Sequence, residues 1–412
     1  MKWRILAGLV LAGIAAAFAL HARDRVFWGR YLALLGSPAF ELSPEHYAPR
    51  ERIAGREEPR PPAVTPEEES LERAALEAAA DYAGAHGSRA LIVSRGGHIV
   101  FERYWQGTGF DTVVDARELA ATLTALAVGI AIGEGRIRSL DEPVASFLTE
   151  WRDDARGAIT VRQLLNMSSG LAPSSETLLP WSDGVRERLG SDIAAVHLRR
   201  PLAGTPGETW AYKRSDPQLL ALILERATGM RFAEYLSDRL WRRLGAADAE
   251  VWIDRPAGYA HATCCLLARQ GDWIRLGQAL ADDGVYLAGE LLPPGWVRRM
   301  REPAPGFAGF GMQVWLGASV SETDAGKNPM LGRAAEPFAA DDAFFLAATG
   351  GHRLWVVPSL RIAILRTGGG APARSDWDET RIPNLVIRAA RDHVPEPAPG
   401  SGIDPAQFVP GH

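Results

Sequence analysis

Residues 117–134 read Arg117-Glu118-Leu119-Ala120-Ala121-Thr122-Leu123-Thr124-Ala125-Leu126-Ala127-Val128-Gly129-Ile130-Ala131-Ile132-Gly133-Glu134. Leu119, Leu123, Leu126 and Ile130 recur at the spacing of one helical face. Ala and Gly fill much of the remainder, which predicts a buried central helix. Glu118 lies in its first turn, where a carboxylate complements the helix macrodipole and needs no further role.

On the N-terminal side, Ala90–Val93 and His98–Tyr104 are strand-like runs around Ser94-Arg95-Gly96-Gly97, a hairpin signal. Ahead of them, Thr65-Pro66-Glu67-Glu68 joins an N-cap hydroxyl, a first-turn Pro and a Glu three residues on, predicting a helix to about Ala83. On the C-terminal side, Ser139-Leu140-Asp141-Glu142, Thr160-Val161-Arg162-Gln163 and Ser215-Asp216-Pro217-Gln218 each have the form of a capping box opening a helix. Arg353–Val357 and Arg361–Leu365 read as two strands around Pro358-Ser359, and a helix closes the body near Ala390. Strands at both ends with helices between them predict an α/β fold whose antiparallel sheet is completed by both termini and carries a mostly helical insertion.

The 412 residues are 47% hydrophobic and 23% charged, which excludes wholesale disorder, and two or three domains or one large α/β body fit the length. A net charge of -5 gives no field to gather nucleic acid. The lysines are Lys2, Lys213 and Lys327, so nearly all positive charge is Arg, which cannot serve as a deprotonated catalytic amine. Adjacent Cys264 and Cys265 point apart in a strand or helix and are read as packed thiols, and with only His261 nearby no metal site or cofactor is expected.

Lys2 and Arg4 precede an uninterrupted small and apolar run from Ile5 to Leu20, the form of an export signal. Ala17-Phe18-Ala19 offers a small-x-small cleavage site, whereas Val26-Phe27-Trp28 and Tyr31–Leu35 continue the apolar character as if at an interface. Residues 1–30 are thus a cleaved signal or, as favoured here, a retained membrane anchor. Residues 31–65 are read as a Pro/Glu/Arg-rich linker, 66–393 as the folded domain and 394–412 as a disordered tail. The expected location is the cell envelope, with a periplasmic body on the inner membrane.

Several segments in order resemble the serine β-lactamase and penicillin-binding-protein superfamily, in its class C-like branch of esterases, D-aminopeptidases and 6-aminohexanoate-dimer hydrolases. They are Ala90–Val93 with its hairpin, Ala125–Gly135, Ile159–Leu171 ending in Asn166-Met167-Ser168-Ser169-Gly170-Leu171, Pro206-Gly207 before Tyr212, and Val356-Val357-Pro358-Ser359. The resemblance covers about residues 70–390 and implies a β-lactamase/transpeptidase-like antiparallel sheet flanked by helices.

It also implies a chemistry. The family places a nucleophilic Ser at the head of the central helix with a Lys one turn later, a Tyr-x-Asn loop, and a Lys/His-Thr/Ser-Gly strand motif. Alignment on Thr122–Leu126 puts Glu118 and Ala121 on the Ser and Lys positions. The second motif falls on Tyr212-Lys213-Arg214 and the third near Ala348-Thr349-Gly350-Gly351. Neither Lys213 nor Lys327 has a Ser three residues before it, and no Gly-x-Ser-x-Gly elbow is present. Met167–Gly170 is a Ser-rich turn ending a family helix, and His261 and His352 are isolated polar residues.

Glu118 and Arg214 are complementary replacements, expected to meet as a salt bridge beside Tyr212, with Thr349 and Gly350 completing a binding site. The expected function is that of an inactive pseudoenzyme binding a small-molecule or peptide ligand and held at the membrane. The alternative is a hydrolase using Glu118 as base or nucleophile, which an Arg partner disfavours by lowering the carboxylate's basicity.

Overall fold

The computed structural model describes residues 24–37, 42–175, 177–287, 289–320, 330–368 and 377–391. The apolar run 5–20 and the tail after Arg391 lie outside the described residues. Among the described residues no helix is long and apolar enough to cross a membrane.

The elements used below are α1 (Arg25–Gly36), β1 (Arg50–Ile53), α2 (Arg73–Ala85), β2 (Ser88–Arg95), β3 (His98–Tyr104), β4 (Val113–Asp115), α3 (Ala120–Gly133), α4 (Ser215–Thr228), β5 (Ala249–Trp252), β6 (Leu266–Arg269), α5 (Gln270–Ala281), β7 (Trp315–Leu316), β8 (Phe344–Ala347), β9 (Arg353–Val357), β10 (Ile362–Gly368) and α6 (Arg381–Arg388). The main sheet is six-stranded and antiparallel, in the order β3-β2-β10-β9-β8-β7. Val93 faces Ile364, which faces Trp355, so the two ends of the chain interlock at the sheet's centre as expected.

Alternation sorts the strand side chains between two cores. Ile92, Leu354, Val356 and Leu365 enter the core shared with α3, α4 and α5, while Leu91, Val93, Trp355 and Ile364 enter the one shared with α2 and α6. Burial on both faces explains why these strands read as continuous apolar runs. The helix lying directly on the strands is α5, not α3 as the sequence suggests. Gly277 permits that approach, since a Cβ there would stand 2.8 Å from Ala363 and Leu354. Helix α3 packs beyond it against α4, with twelve of its fourteen residues buried, and its N-terminus emerges at the site.

Two local expectations change. The box at Thr65 forms, with Glu68 accepting from the Thr65 N–H at 2.6 Å, but only a short turn follows. Ser70 turns left-handed at φ 55 and Leu71 pairs with Ala390, so α2 starts afresh at Arg73. Thr160 caps as expected, whereas Ser139 opens no α-helix. Glu142 accepts from Arg138 N–H at 2.6 Å instead, and Pro143 disfavours helical backbone at Glu142.

The expected linker is built into the body. Strand β1 pairs with β5 in a second sheet, ordered β1-β5-β6-β4, with Arg50 opposite Trp252. Helix α1, capped by Asp24, docks through Phe27, Tyr31 and Leu34. Its buried Arg30 donates to the carbonyls of Leu189, Gly190, Ala48 and Ile253 and lies 4.6 Å from the Trp252 ring centroid.

Candidate functional site

Glu118 stands in a 3-10 turn, Arg117–Leu119, that leads into α3. Arg117 before it is left-handed at φ 49, and its N–H donates to Asp115 at 3.0 Å. Tyr47, from the segment before β1, donates to the other Asp115 oxygen at 2.8 Å. Strain of this kind is held only where neighbours over-determine the backbone, as Asp115 and Tyr47 do here.

The Glu118 carboxylate does not pair with Arg214. Its Oε2 accepts from both the backbone N–H and the hydroxyl of Thr349, each at 2.9 Å. Arg117 donates to the same hydroxyl at 3.1 Å. Thr349 offers both donors because the chain leaves β8 in a tight turn at Gly350, φ 74. The expected salt bridge is thereby corrected: the nearer donors of the third motif have taken the carboxylate. Arg214, Glu118 and Thr349 still line one cavity of about 140 Å³. The Arg214 guanidinium has no hydrogen bond or ion pair among the described residues.

Tyr212 stacks on Trp315 with ring centroids 5.9 Å apart, behind that cavity and not in its lining. Burial, and then the charge of Glu118, push its phenol well above the usual range, so it stays protonated. Ala121 is one turn along from Glu118 and nearly buried, with no functional group to offer. Gly350 borders a neighbouring depression rather than this cavity.

Lys213 turns inward, its Nζ 3.3 Å from both Ser169 Oγ and the Met167 carbonyl and 3.6 Å from Asp216. Ser169 donates to Asp216 at 2.8 Å. This Ser and Lys lie close in space, but Ser169 is wholly buried and its hydroxyl donates to Asp216, so it is not presented to the cavity. The cluster therefore fixes the Tyr212–Arg214 turn.

The rest of the cavity contains groups the sequence does not assign to a site. Leu34 of α1, Leu42 and Tyr47 line it from the N-terminal segment, with Leu189 and Trp252 adding apolar wall. Cys264 and Cys265 also line it, joined by a disulfide. That corrects the reading as packed thiols. The pair lies in a turn before β6, where neighbouring side chains can converge as they cannot in a strand or helix. No local signal points to Leu34 or Leu42, whose contribution depends on how α1 docks.

His197 and His261 complete the wall and both are buried. His261 stacks on Trp252 at 4.2 Å, and burial pulls its imidazole down to about 3. Burial likewise pulls His197 to about 4, against the opposing charge of Glu187 3.6 Å away. Both are neutral at pH 7. An unfolded His titrates near about 6.5, so the folded state binds fewer protons below that value. Their stabilising contribution is complete above about pH 6.5 and is lost as pH falls toward 4. The melting temperature should therefore fall steadily from pH 7 to pH 5, with a shallower fall in His261→Asn. An unchanged slope in that variant would contradict the assignment.

Among the described residues no group of three or more His, Cys, Asp or Glu side chains is arranged to hold a metal ion.

Comparison with known proteins agrees with this fold. The β-lactamase family matches residues 71–363. The chain belongs to that family, within the serine β-lactamase and penicillin-binding-protein-like superfamily. It is 30% identical over 220 residues to a 6-aminohexanoate-dimer hydrolase of Paenarthrobacter ureafaciens, spanning 50% of this chain and 55% of that protein. It is 26% identical over 147 residues to penicillin-binding protein 4* of Bacillus subtilis strain 168, spanning 35% of this chain and 32% of that one. The matches thus span about half or less of these relatives.

The fold extends further. A penicillin-binding-protein homologue from Caulobacter crescentus superposes with a TM-score of 0.59 at 15% identity, covering 79% of this chain and 99% of that one. A family VIII carboxylesterase gives 0.58 at 13% identity, covering 80% and 98%. Helix α1 and strand β1 lie ahead of the matched family region.

Proposed function

We propose that this protein uses a β-lactamase-type cleft to bind a ligand without acyl transfer, as an envelope protein whose body faces the periplasm. One observation carries the reading: the head of α3 presents Glu118, already bonded to the Thr349 N–H and hydroxyl, with Ala121 one turn on. An acyl-transfer site of this family needs a hydroxyl nucleophile, an adjacent base and free donors for the developing oxyanion. Glu118 replaces the first, Ala121 lacks the second, and the carboxylate occupies the Thr349 N–H.

What remains is a recognition surface. An uncommitted Arg214 guanidinium beside Leu34, Leu42 and Trp252 suits a small acid with an apolar body. The 6-aminohexanoate dimer in the relative's name has an aliphatic body and a carboxylate end, and we carry over that shape without the hydrolysis.

The alternative hydrolase would employ Glu118 itself. Wild-type protein should turn over p-nitrophenyl esters at the buffer rate, unchanged in Glu118→Ala. Wild-type turnover that disappears in Glu118→Ala, with melting temperature intact, would establish the hydrolase instead.

A further inference from the structure

Eight large apolar side chains are exposed among the described residues, and five of them lie on α1 or the loop beside it: Val26, Leu32 and Leu35 on the helix, with Leu179 and Trp181 on the loop. Helix α1 docks through Phe27, Arg30, Tyr31 and Leu34, the i, i+3, i+4, i+7 stripe of one face. A helix docked in this way ordinarily turns charged residues to water. The outward residues of α1 are instead Val26, Gly29, Leu32, Leu35 and Gly36, with Arg25 the one charge among them.

The loop adjoins this face. Tyr31 Oη donates to the Leu178 carbonyl at 2.9 Å, and Leu178 packs against the same cluster as Phe27 and Leu34. Trp181, 74% exposed, borders the same groove as Asp24, the α1 N-cap. Apolar side chains are thus exposed both along α1 and on the loop beside it, the kind of surface that marks an interaction site.

We propose that this patch docks on a lipid bilayer, with Trp181, Leu179 and the outer face of α1 entering the interfacial layer. The chain before α1 argues for lipid over a second copy. Residues 5–20 carry no charged or strongly polar side chain, Lys2 and Arg4 precede them, and only His21, Ala22 and Arg23 separate them from Asp24. A segment of that composition partitions into lipid and holds the adjoining patch at the surface at high effective concentration. Trp is among the residues enriched at such an interface.

The docking has a consequence for the cleft. Leu34, on the inner side of α1, lines the Glu118 cavity. A helix is about 10 Å across, so docking places that cavity about one helix diameter beneath the bilayer surface. The ligand would then be drawn from the interface, where apolar acids accumulate.

The test uses the full chain in vesicles of phosphatidylethanolamine and phosphatidylglycerol, with p-benzoylphenylalanine replacing Leu32, Leu35, Leu179 or Trp181 one at a time. Irradiation should give lipid adducts by mass spectrometry at all four positions and none at the exposed controls Val285 and Leu287. Adding Leu32→Glu and Leu35→Glu to the Trp181 reporter should cut its lipid adduct by about tenfold with no change in melting temperature, because two charges lift the face from the apolar layer. Chain-to-chain adducts at these positions would overturn the proposal in favour of a second copy. Absence of lipid adducts would overturn it in favour of a water-facing surface.

Discussion

The triple variant Glu118→Ser, Ala121→Lys, Arg214→Asn should hydrolyse p-nitrophenyl esters about 100-fold faster than Glu118→Ser alone, the low end of what a positioned base supplies. Removing the carboxylate releases the Thr349 N–H, now 2.9 Å from Glu118 Oε2, as a donor for an oxyanion. A Ser at 118 by itself gains that donor but no base, because position 121 is one turn away and carries only a methyl group. A Lys at the nearly buried position 121 has its neutral form favoured by desolvation, which suits it to take the Ser proton. Asn at 214 removes a cation that would repel the new Lys. If the triple variant folds and is no faster than Glu118→Ser, the assignment of these positions to the family's catalytic groups is wrong.

The second large effect is on stability. Glu379→Ala should cost about 3–5 kcal/mol, because it strands a buried guanidinium. Arg353 and Glu379 pair with both side chains wholly buried. Arg353 also donates to the carbonyls of Ala348, His352 and Met330, and Glu379 accepts from Gly332 N–H and Trp377 Nε1, each at 3.0 Å. For a chain of 412 residues that cost lowers the melting temperature by roughly 4–7 °C. Burial alone would push the Glu379 carboxyl up, but the Arg353 charge and these hydrogen bonds hold it below its usual range. Its contribution is therefore present above about pH 4.5 and lost as pH falls through the lowered value. Glu379→Gln, which keeps several of the hydrogen bonds, should cost less. Equal melting temperatures for wild type and Glu379→Ala would show that the pair contributes nothing.

The main sheet and α3 are legible in the sequence because their signals are local. Leu91–Val93 and Leu354–Val357 are apolar runs of strand length, and Thr160-Val161-Arg162-Gln163 carries its cap within four residues. Helix α3 is apolar all round because it is buried all round. The second sheet is not legible in this way. The charges of the supposed linker are spent on partners about two hundred residues away, Arg50 on Glu250, Arg52 on Asp248 and Glu51 on Arg231. Composition alone made that strand look like solvated chain.

The site shows the same division. Alignment places Glu118, Ala121, Tyr212, Arg214 and Thr349 on the family's catalytic positions, and the structure brings Glu118, Arg214 and Thr349 to one cavity. Side-chain direction decides the pairing, and that depends on Thr349 arriving from 231 residues further along the chain. A rule based on complementary charge favoured Arg214; two nearby donors on Thr349 prevailed.

On the proposed function, the head of α3 forms no acyl-enzyme. Wild-type protein incubated with a fluorescent penicillin, and separately with a fluorophosphonate probe, should carry no covalent label by gel fluorescence and show no change in intact mass. A stoichiometric adduct mapped to any Ser would contradict the account.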